Sequence, residues 1–200
     1  MLSVRSVNEN LGSVDLENKP SIAKGQRDYP LTDIARKRWL TAGLQDGKDF
    51  NTLSATEITA LNDKGYVFVG FYNGYPGFYF SDSHTAIDSA SDYSRIENNR
   101  VWDKAADLIR QSLLPRVKSN LLIDPTSGFI RDAEAAELET IALNAVNQMT
   151  AAGEISGAGV YIDPQQDLSS DADLKVKGQV VFNKIIHKFD VDLGLTNKLS

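Results

Sequence analysis

The chain has 200 residues, about one to one and a half average domains, and its hydrophobic fraction of 42% is typical of a globular protein. It contains no cysteine and only two histidines, His84 and His187, which excludes disulfides, thiolate metal sites, thiol catalysis and a multi-histidine metal site. Its 21 basic and 27 acidic side chains give a net charge of −6, which argues against nucleic-acid binding because that function needs a basic face.

The N-terminal sequence MLSVRSVNE lacks the apolar core of a secretory signal, and no apolar run approaches the length that spans a bilayer. We therefore expect synthesis in the cytoplasm and no membrane partner. Residues 1–30 are polar and weakly patterned, which predicts an N-terminal arm or linker. Residues 31–200 are expected to form one α/β (α+β) domain, a mixed sheet flanked by helices.

The first predicted helices lie before the middle of the chain. Apolar spacing predicts a helix over residues 32–43 that ends at Gly43. A second, short helix begins at Ser54, which forms an S-x-x-E capping box with Glu57, and ends at Gly65.

The strongest strand signal follows. Residues 66–72, YVFVGFY, are apolar on both faces and predict a central strand. The pair Asn73-Gly74 predicts a tight turn, and residues 78–80 the return strand. The aromatic side chains here are expected to fill sheet faces rather than to stack on a ligand.

Two longer helices are predicted next. Ser94 and Glu97 form a second S-x-x-E pair at the start of a helix that Pro115 kinks or ends. Another helix is predicted from about residue 132 to 152, with Gly153 at its C-terminal cap. Short strands are expected at residues 121–123 and 160–162, each followed by Asp-Pro.

The C-terminal segment, residues 174–195, predicts two strands joined as a hairpin because apolar and polar residues alternate in both halves. A hairpin at a chain end offers unpaired backbone groups to a neighbouring molecule. Alternatively, this segment pairs with the domain's own sheet; the two arrangements are compatible.

A search for chemical motifs finds none with the required spacing. The string Gly153-Glu154-Ile155-Ser156-Gly157 is not a nucleophile elbow, and no phosphate-binding loop is present. The acidic cluster after Asp163 lacks a glutamate at the twelfth position, where Leu174 stands, so a calcium loop is not supported. We therefore expect no catalytic residues, no cofactor and no bound metal.

Several stretches in order resemble contractile phage tail sheath proteins over about residues 30–195. They are LNDKGYV at 61–67, GFYFSD at 77–82, SDYSRIENNRVWDKA at 91–105, DPTSG at 124–128, ISG at 155–157 and VYIDP at 160–164. The resemblance implies an inner α/β domain that, as in sheath subunits, stacks in helical rings around a tail tube. Their chain termini extend as arms that add strands to neighbouring subunits.

The resemblance implies a structural subunit that is made in the bacterial host cytoplasm and resides in the virion tail. Its implied partners are further copies of itself, tail tube proteins and baseplate proteins. Strand addition supplies affinity through main-chain hydrogen bonds, while alternating side chains set the register. We assign the candidate subunit interface to the apolar positions of the strand pair: Leu174, Val176, Val180, Phe182, Phe189, Val191 and Leu193.

Two other functions stay open at this point. One is a small α/β hydrolase acting on cell-wall glycans, which would need converging acid and base groups in a deep pocket. The other is an adaptor module at the tail end that does not polymerise.

Overall fold

The computed structural model describes residues 6–13, 44–70, 79–166 and 173–191. These residues form three α-helices and two separate sheets, each of two antiparallel strands. The predicted α+β class is confirmed, with two small antiparallel sheets in place of one mixed sheet over the described ranges. The helix predicted at 32–43 lies outside the described residues.

Helix α1 spans Ala55–Asp63. Ser54 accepts a hydrogen bond from the backbone of Glu57, and the Glu57 carboxylate accepts one from the backbone of Ser54, so the predicted capping box is confirmed. Gly65 follows with a φ of 82°, which glycine adopts without strain.

The first sheet begins later in the sequence than predicted, and residues 71–78, which include the predicted turn at Asn73-Gly74, lie outside the described residues. Strand β1 covers Val69–Gly70 and pairs antiparallel with β2, Tyr79–Phe80. The predicted antiparallel pairing is thus confirmed, but the predicted start of the strand at residue 66 is wrong, because the described strand begins at Val69. No second strand partner covers this segment within the described chain, and the Tyr66 side chain is 60% exposed.

Helices α2, Ile96–Leu113, and α3, Asp132–Ala151, form the framework of the domain. Pro115 lies in the short 3-10 turn that follows α2, and Gly153 follows α3 with a φ of 70°, as expected from the sequence. The main core cluster lies between the two helices and consists of Val101, Ala105, Val146, Met149 and Ile155.

The second S-x-x-E pair is not a capping box. The N-cap residue of α2 is Arg95, which makes no side-chain capping bond. Glu97 is instead buried and accepts hydrogen bonds from Ser83 and Asn10. The carboxylate points inward, where hydrogen bonds from two buried donors offset the cost of its burial.

The second sheet pairs β3, Gly157–Tyr161, with β4, Lys177–Val181. The predicted C-terminal hairpin is therefore replaced: its first strand pairs with β3, and the described residues 183–191 carry no strand. An isolated two-stranded hairpin is marginally stable, whereas a strand on β3 also packs against the helices.

The strand predicted at 121–123 is reduced to a single bridge between Ile123 and Ile130. Nearby, Ile130 joins Ala135, Leu138 and Ile162 in a second core cluster. In the described ranges, the helices are either too short or too polar to cross a lipid bilayer.

Candidate functional site

Strand β4 lies close against α2. A Cβ atom on Gly178 would meet Ile109 Cδ1 at 3.0 Å, so glycine allows the strand backbone to approach the helix. The sheet is thereby held on the framework through one face. The Val181 and Tyr161 side chains remain exposed.

The first four candidate interface residues contact the chain's own core. Leu174 and Val176 pack against the second cluster, and Val180 and Phe182 pack against the main cluster. Each is partly buried in this way, so these side chains support the fold of the chain itself.

The later candidates are placed differently. Phe189 and Val191 are 81% and 76% exposed, and neighbouring Ile186 is 70% exposed. Leu193 lies outside the described residues. We call residues 183–191 the C-terminal arm; it presents large apolar side chains to solvent without strand structure.

Asn183 fixes the point where the C-terminal arm leaves the domain. Its Nδ2 donates to the carbonyl of Gly153 at 2.8 Å, and its Oδ1 accepts from Ser156 Oγ at 2.8 Å. The N-terminal segment reaches the same place, because Asn8 Nδ2 donates to the Gly153 carbonyl at 3.1 Å.

A buried polar cluster lies at the other end of the N-terminal segment. Asn10 Nδ2 lies within hydrogen-bonding distance of three acceptors, Asp82 Oδ1 at 2.8 Å, Ser83 Oγ at 2.9 Å and Glu97 Oε1 at 3.1 Å. Ser83 Oγ also donates to Glu97 Oε2. These contacts fasten residues 6–13 to the start of α2.

Asp82 is the centre of this cluster, and its side chain is only 5% exposed. Its Oδ2 pairs with Arg95, and His84 Nε2 and His187 Nδ1 lie 3.5 and 3.8 Å from that oxygen. Burial raises the pKa of Asp82, but hydrogen bonds from Arg95, Asn10 and the Ser83 backbone outweigh it and leave the pKa below its ordinary value.

A groove of about 650 Å³ adjoins Asp82. Its walls come from α1, from the β1–β2 sheet and from His187 and Lys188 of the C-terminal arm. Phe50 and Phe68, whose ring centroids are 4.7 Å apart, contribute to its apolar lining. The arm therefore passes the rim of a groove with both apolar and polar walls, while its own Phe189 stays in solvent.

The groove and the cluster do not form a metal centre. Among the residues that the structure describes, no group of three or more His, Asp or Glu side chains is arranged to hold a metal ion. The guanidinium of Arg95 already occupies Asp82 Oδ2. This arrangement fastens segments of the chain together through charge and hydrogen bonds.

Sequence reasoning missed the Asp82 cluster. The string Ser81-Asp82-Ser83-His84 has the composition of an exposed turn, yet the His84 side chain is only 13% exposed. No periodic pattern marks such residues, because their partners Asn10 and Glu97 are far away in the sequence. The buried environment of the Asp82 carboxylate therefore cannot be predicted from the sequence near it.

Two family models match this sequence: the one described as DUF2586, N-terminal domain, over residues 1–84, and the one described as DUF2586, C-terminal domain, over residues 92–200. Among solved structures, the chain is similar to one in the cryo-EM structure of the anti-feeding prophage (AFP) baseplate, 6-fold symmetrised. The TM-score is 0.55 at 17% identity, and the match covers 78% of this chain and 44% of that chain. No curated protein matches. At this identity the likeness concerns the fold.

Proposed function

The chain belongs to the DUF2586 family, and from this premise we propose that it is a structural subunit of a contractile injection apparatus, of the tail sheath type. In this role it carries out no catalysis and joins further copies of itself through its C-terminal arm. Tail tube and baseplate proteins are its other proposed partners.

The fold supports this proposal. The likeness to a chain of the AFP baseplate structure concerns most of this chain, although it spans only 44% of the other. The ordered motifs that resemble those of sheath proteins include the start of α2 and the Asp-Pro pairs that follow residues 123 and 162. The fold and the motifs both support this class of assembly.

The observation that carries the proposal is the exposure of the C-terminal arm. Ile186, Phe189 and Val191 all lie in solvent within six residues of one another. Burying such side chains contributes about 25 cal/mol per Å² of apolar surface, so a partner that covers them gains stability. Exposed apolar groups concentrated in one segment are typical of an interaction site.

The second sheet offers a place for such an arm. Strands β3 and β4 pair only with each other among the described residues, so each has an outer edge with no strand on it. An extended segment from another subunit would add main-chain hydrogen bonds along such an edge. The candidate interface of the strand pair then divides: Phe189, Val191 and Leu193 belong to the donated segment, and Leu174, Val176, Val180 and Phe182 support the acceptor.

A contact between an arm on one subunit and a sheet edge on another is heterologous. Such contacts build open helical assemblies unless the rotation between subunits closes a ring. A closed ring corresponds to an adaptor at the tail end. This adaptor is the second candidate function, and the likeness to a chain from a baseplate structure supports it.

The test compares the full chain with a truncation that ends at Asn183. A truncation before Leu174 would remove Leu174 and Val176 from the second core cluster and confuse unfolding with loss of assembly. We expect the full chain to form large particles in sedimentation velocity as its concentration rises, and the truncated chain to stay monomeric with an unchanged melting temperature.

Point variants sharpen this comparison. Phe189→Asp and Val191→Asp place charges on the exposed arm, and Ile87→Asp places one on an exposed apolar residue elsewhere. Only the first two are expected to prevent assembly. Tubes in negative-stain images support the sheath subunit, rings of fixed size support the adaptor, and assembly by the truncated chain would refute both.

A further inference from the structure

Helix α2 has an outer face as well as a core face. Val101 and Ala105 belong to the main core cluster, and Ile109 packs against it. Away from the core, one row of residues at intervals of four runs along the helix: Trp102, Ala106, Arg110 and Leu114. Trp102 and Leu114 are 49% and 63% exposed, so the row begins and ends with a large apolar side chain in solvent.

A second apolar residue accompanies each end of this row. Tyr93 is 42% exposed, and its ring lies edge-on to that of Trp102 with 6.3 Å between the centroids. Val117 is 62% exposed, and its backbone N–H donates to the Leu114 carbonyl at 3.1 Å. We call Tyr93 and Trp102 the aromatic patch, and Leu114 and Val117 the aliphatic patch. The two patches lie about 18 Å apart along the helix.

The two patches carry opposite charges. Asp92 and Asp103 are exposed next to the aromatic patch. Arg110 and Lys118 are exposed next to the aliphatic patch. Arg110 also pairs with Asp107 at 3.3 Å, but its side chain is 75% exposed and has further N–H groups for another acceptor. Each patch is therefore the apolar and electrostatic complement of the other.

We propose that α2 packs antiparallel against α2 of a second copy of this chain, about a two-fold axis near the middle of the row. Turning one copy end for end places the aliphatic patch of each copy on the aromatic patch of the other. One partner covers both patches because they lie on one face of one helix. Ala106 near the axis allows the helices to approach closely, and Asp103 of each copy faces Arg110 of the other.

The area available makes this a weak contact. The four patch residues expose roughly 400 Å² of apolar surface per copy, or about 800 Å² for the pair. Stable complexes bury about 1,200–2,000 Å² in total, including their polar rim. A contact at the lower limit of this range is populated at high protein concentration, on the order of 0.5 mM. At micromolar concentrations the α2 pair is dissociated.

The pair does not depend on the proposed function, since it uses α2 and leaves the C-terminal arm and the sheet edges outside the contact. A two-fold contact closes on itself, whereas a contact between an arm and a sheet edge continues from copy to copy. Failure of one contact therefore leaves the other standing. The experiment uses the full chain with Val191→Asp, which is expected to prevent assembly through the arm.

Small-angle X-ray scattering between about 0.05 and 1 mM protein measures the mean particle mass in the range where a weak pair forms. We expect the mass to rise with concentration from 22.0 kDa toward that of a dimer. Leu114→Lys should weaken association by more than about tenfold, because burial of a leucine is lost at two symmetric places. Ile186→Lys is the matched control: Ile186 is 70% exposed on the C-terminal arm, and association should be unchanged.

Exchanging the charges tests the antiparallel arrangement. Asp103→Arg and Arg110→Asp each place like charges opposite one another at two symmetric positions, so each should weaken association by about five- to twentyfold. The double variant restores opposite charges across the axis and should return the dissociation constant to within about threefold of the parent. In a parallel pair the double variant would gain nothing over the single ones.

A mean mass that stays at 22.0 kDa up to about 1 mM overturns the proposal and leaves this face to another segment of the chain or to a different protein. Association that Leu114→Lys weakens no more than Ile186→Lys does also overturns it. Charge exchange without recovery in the double variant overturns the two-fold arrangement. All of these variants change exposed residues, so the melting temperature is expected to stay unchanged while association is lost.

Discussion

Asn8 and Asn183 donate to one carbonyl oxygen, that of Gly153, although they lie 145 and 30 residues away from it in the sequence. Gly153 follows the last turn of α3 with a left-handed backbone, which turns its carbonyl away from the helix. The end of one helix thereby fixes where both terminal segments run. The N-terminal segment and the C-terminal arm are therefore both held at the turn between α3 and β3.

We first expect Asn183→Ala to loosen the base of the C-terminal arm. The change removes the bonds to the Gly153 carbonyl and to Ser156, each contributing about 1 kcal/mol. The free energy of unfolding in urea should fall by about 1–2 kcal/mol. Asn183→Asp keeps the acceptor for Ser156 and should lose less; an equal loss in both variants would contradict this account.

Gly12 gives a second prediction, because its backbone lies against β2. A Cβ atom there would meet the Phe80 carbonyl oxygen at 2.6 Å and that of Ser81 at 3.1 Å. Backbone oxygens cannot move aside cheaply, so Gly12→Ala should displace the N-terminal segment and lower the melting temperature. Gly157→Ala is the matched control, since nothing lies within 4 Å of its added methyl. Equal melting temperatures in the two variants would refute the close approach.

A third prediction separates the two halves of the candidate interface. Val180 packs against the main core cluster, whereas Val191 is exposed. Val180→Asp should therefore destabilise the monomer by about 3 kcal/mol because an unpaired charge enters an apolar contact. Val191→Asp should change monomer stability by less than about 0.5 kcal/mol. Calorimetry of dilute protein measures both, and similar losses in the two would place Val191 in the core.

The fourth prediction concerns acid stability. The pKa of Asp82 is lower in the folded chain than its ordinary value of 3.8, so its stabilising contribution is present above that value. It is lost as the pH falls through the lowered folded pKa. Urea unfolding between pH 5 and 2.5 should show a decline in the free energy of unfolding that is shallower in Asp82→Asn.

Asp124→Asn provides the control for that experiment. Hydrogen bonds from the Ser127 and Thr126 backbones also lower the pKa of Asp124, but its carboxylate lies in solvent. The variant should have a smaller effect on the decline than Asp82→Asn. A larger effect of Asp124→Asn would show that the buried cluster does not dominate the acid response.

Local patterns predicted the helical part of the fold well. The Ser54–Glu57 capping box, Pro115 after α2 and Gly153 after α3 all act where their chemistry indicates. Each depends on residues within a turn or two of one another, so the sequence contains the whole interaction. The same reasoning failed at Glu97, whose partners lie in other segments.

Strand partners and the polar cluster depended on the tertiary structure. Period-two alternation predicts that residues 174–182 are extended, yet it does not identify β3 as their partner, because edges are chosen by packing against α2 and α3. In the same way, the residues around Asp82 have the composition of a turn. Only the folded chain brings Asn10, Arg95 and His187 next to its carboxylate.

The amino-acid sequence alone determined the three described helices and where each of them ends, the acidic charge and the lack of thiol chemistry, since these follow from neighbouring residues and from composition. Only the tertiary structure decided which apolar residues of the C-terminal segment stabilise the domain and which remain available to a partner. The physical reason is that alternation marks an apolar face in the same way whether the surface that covers it belongs to the same chain or to another.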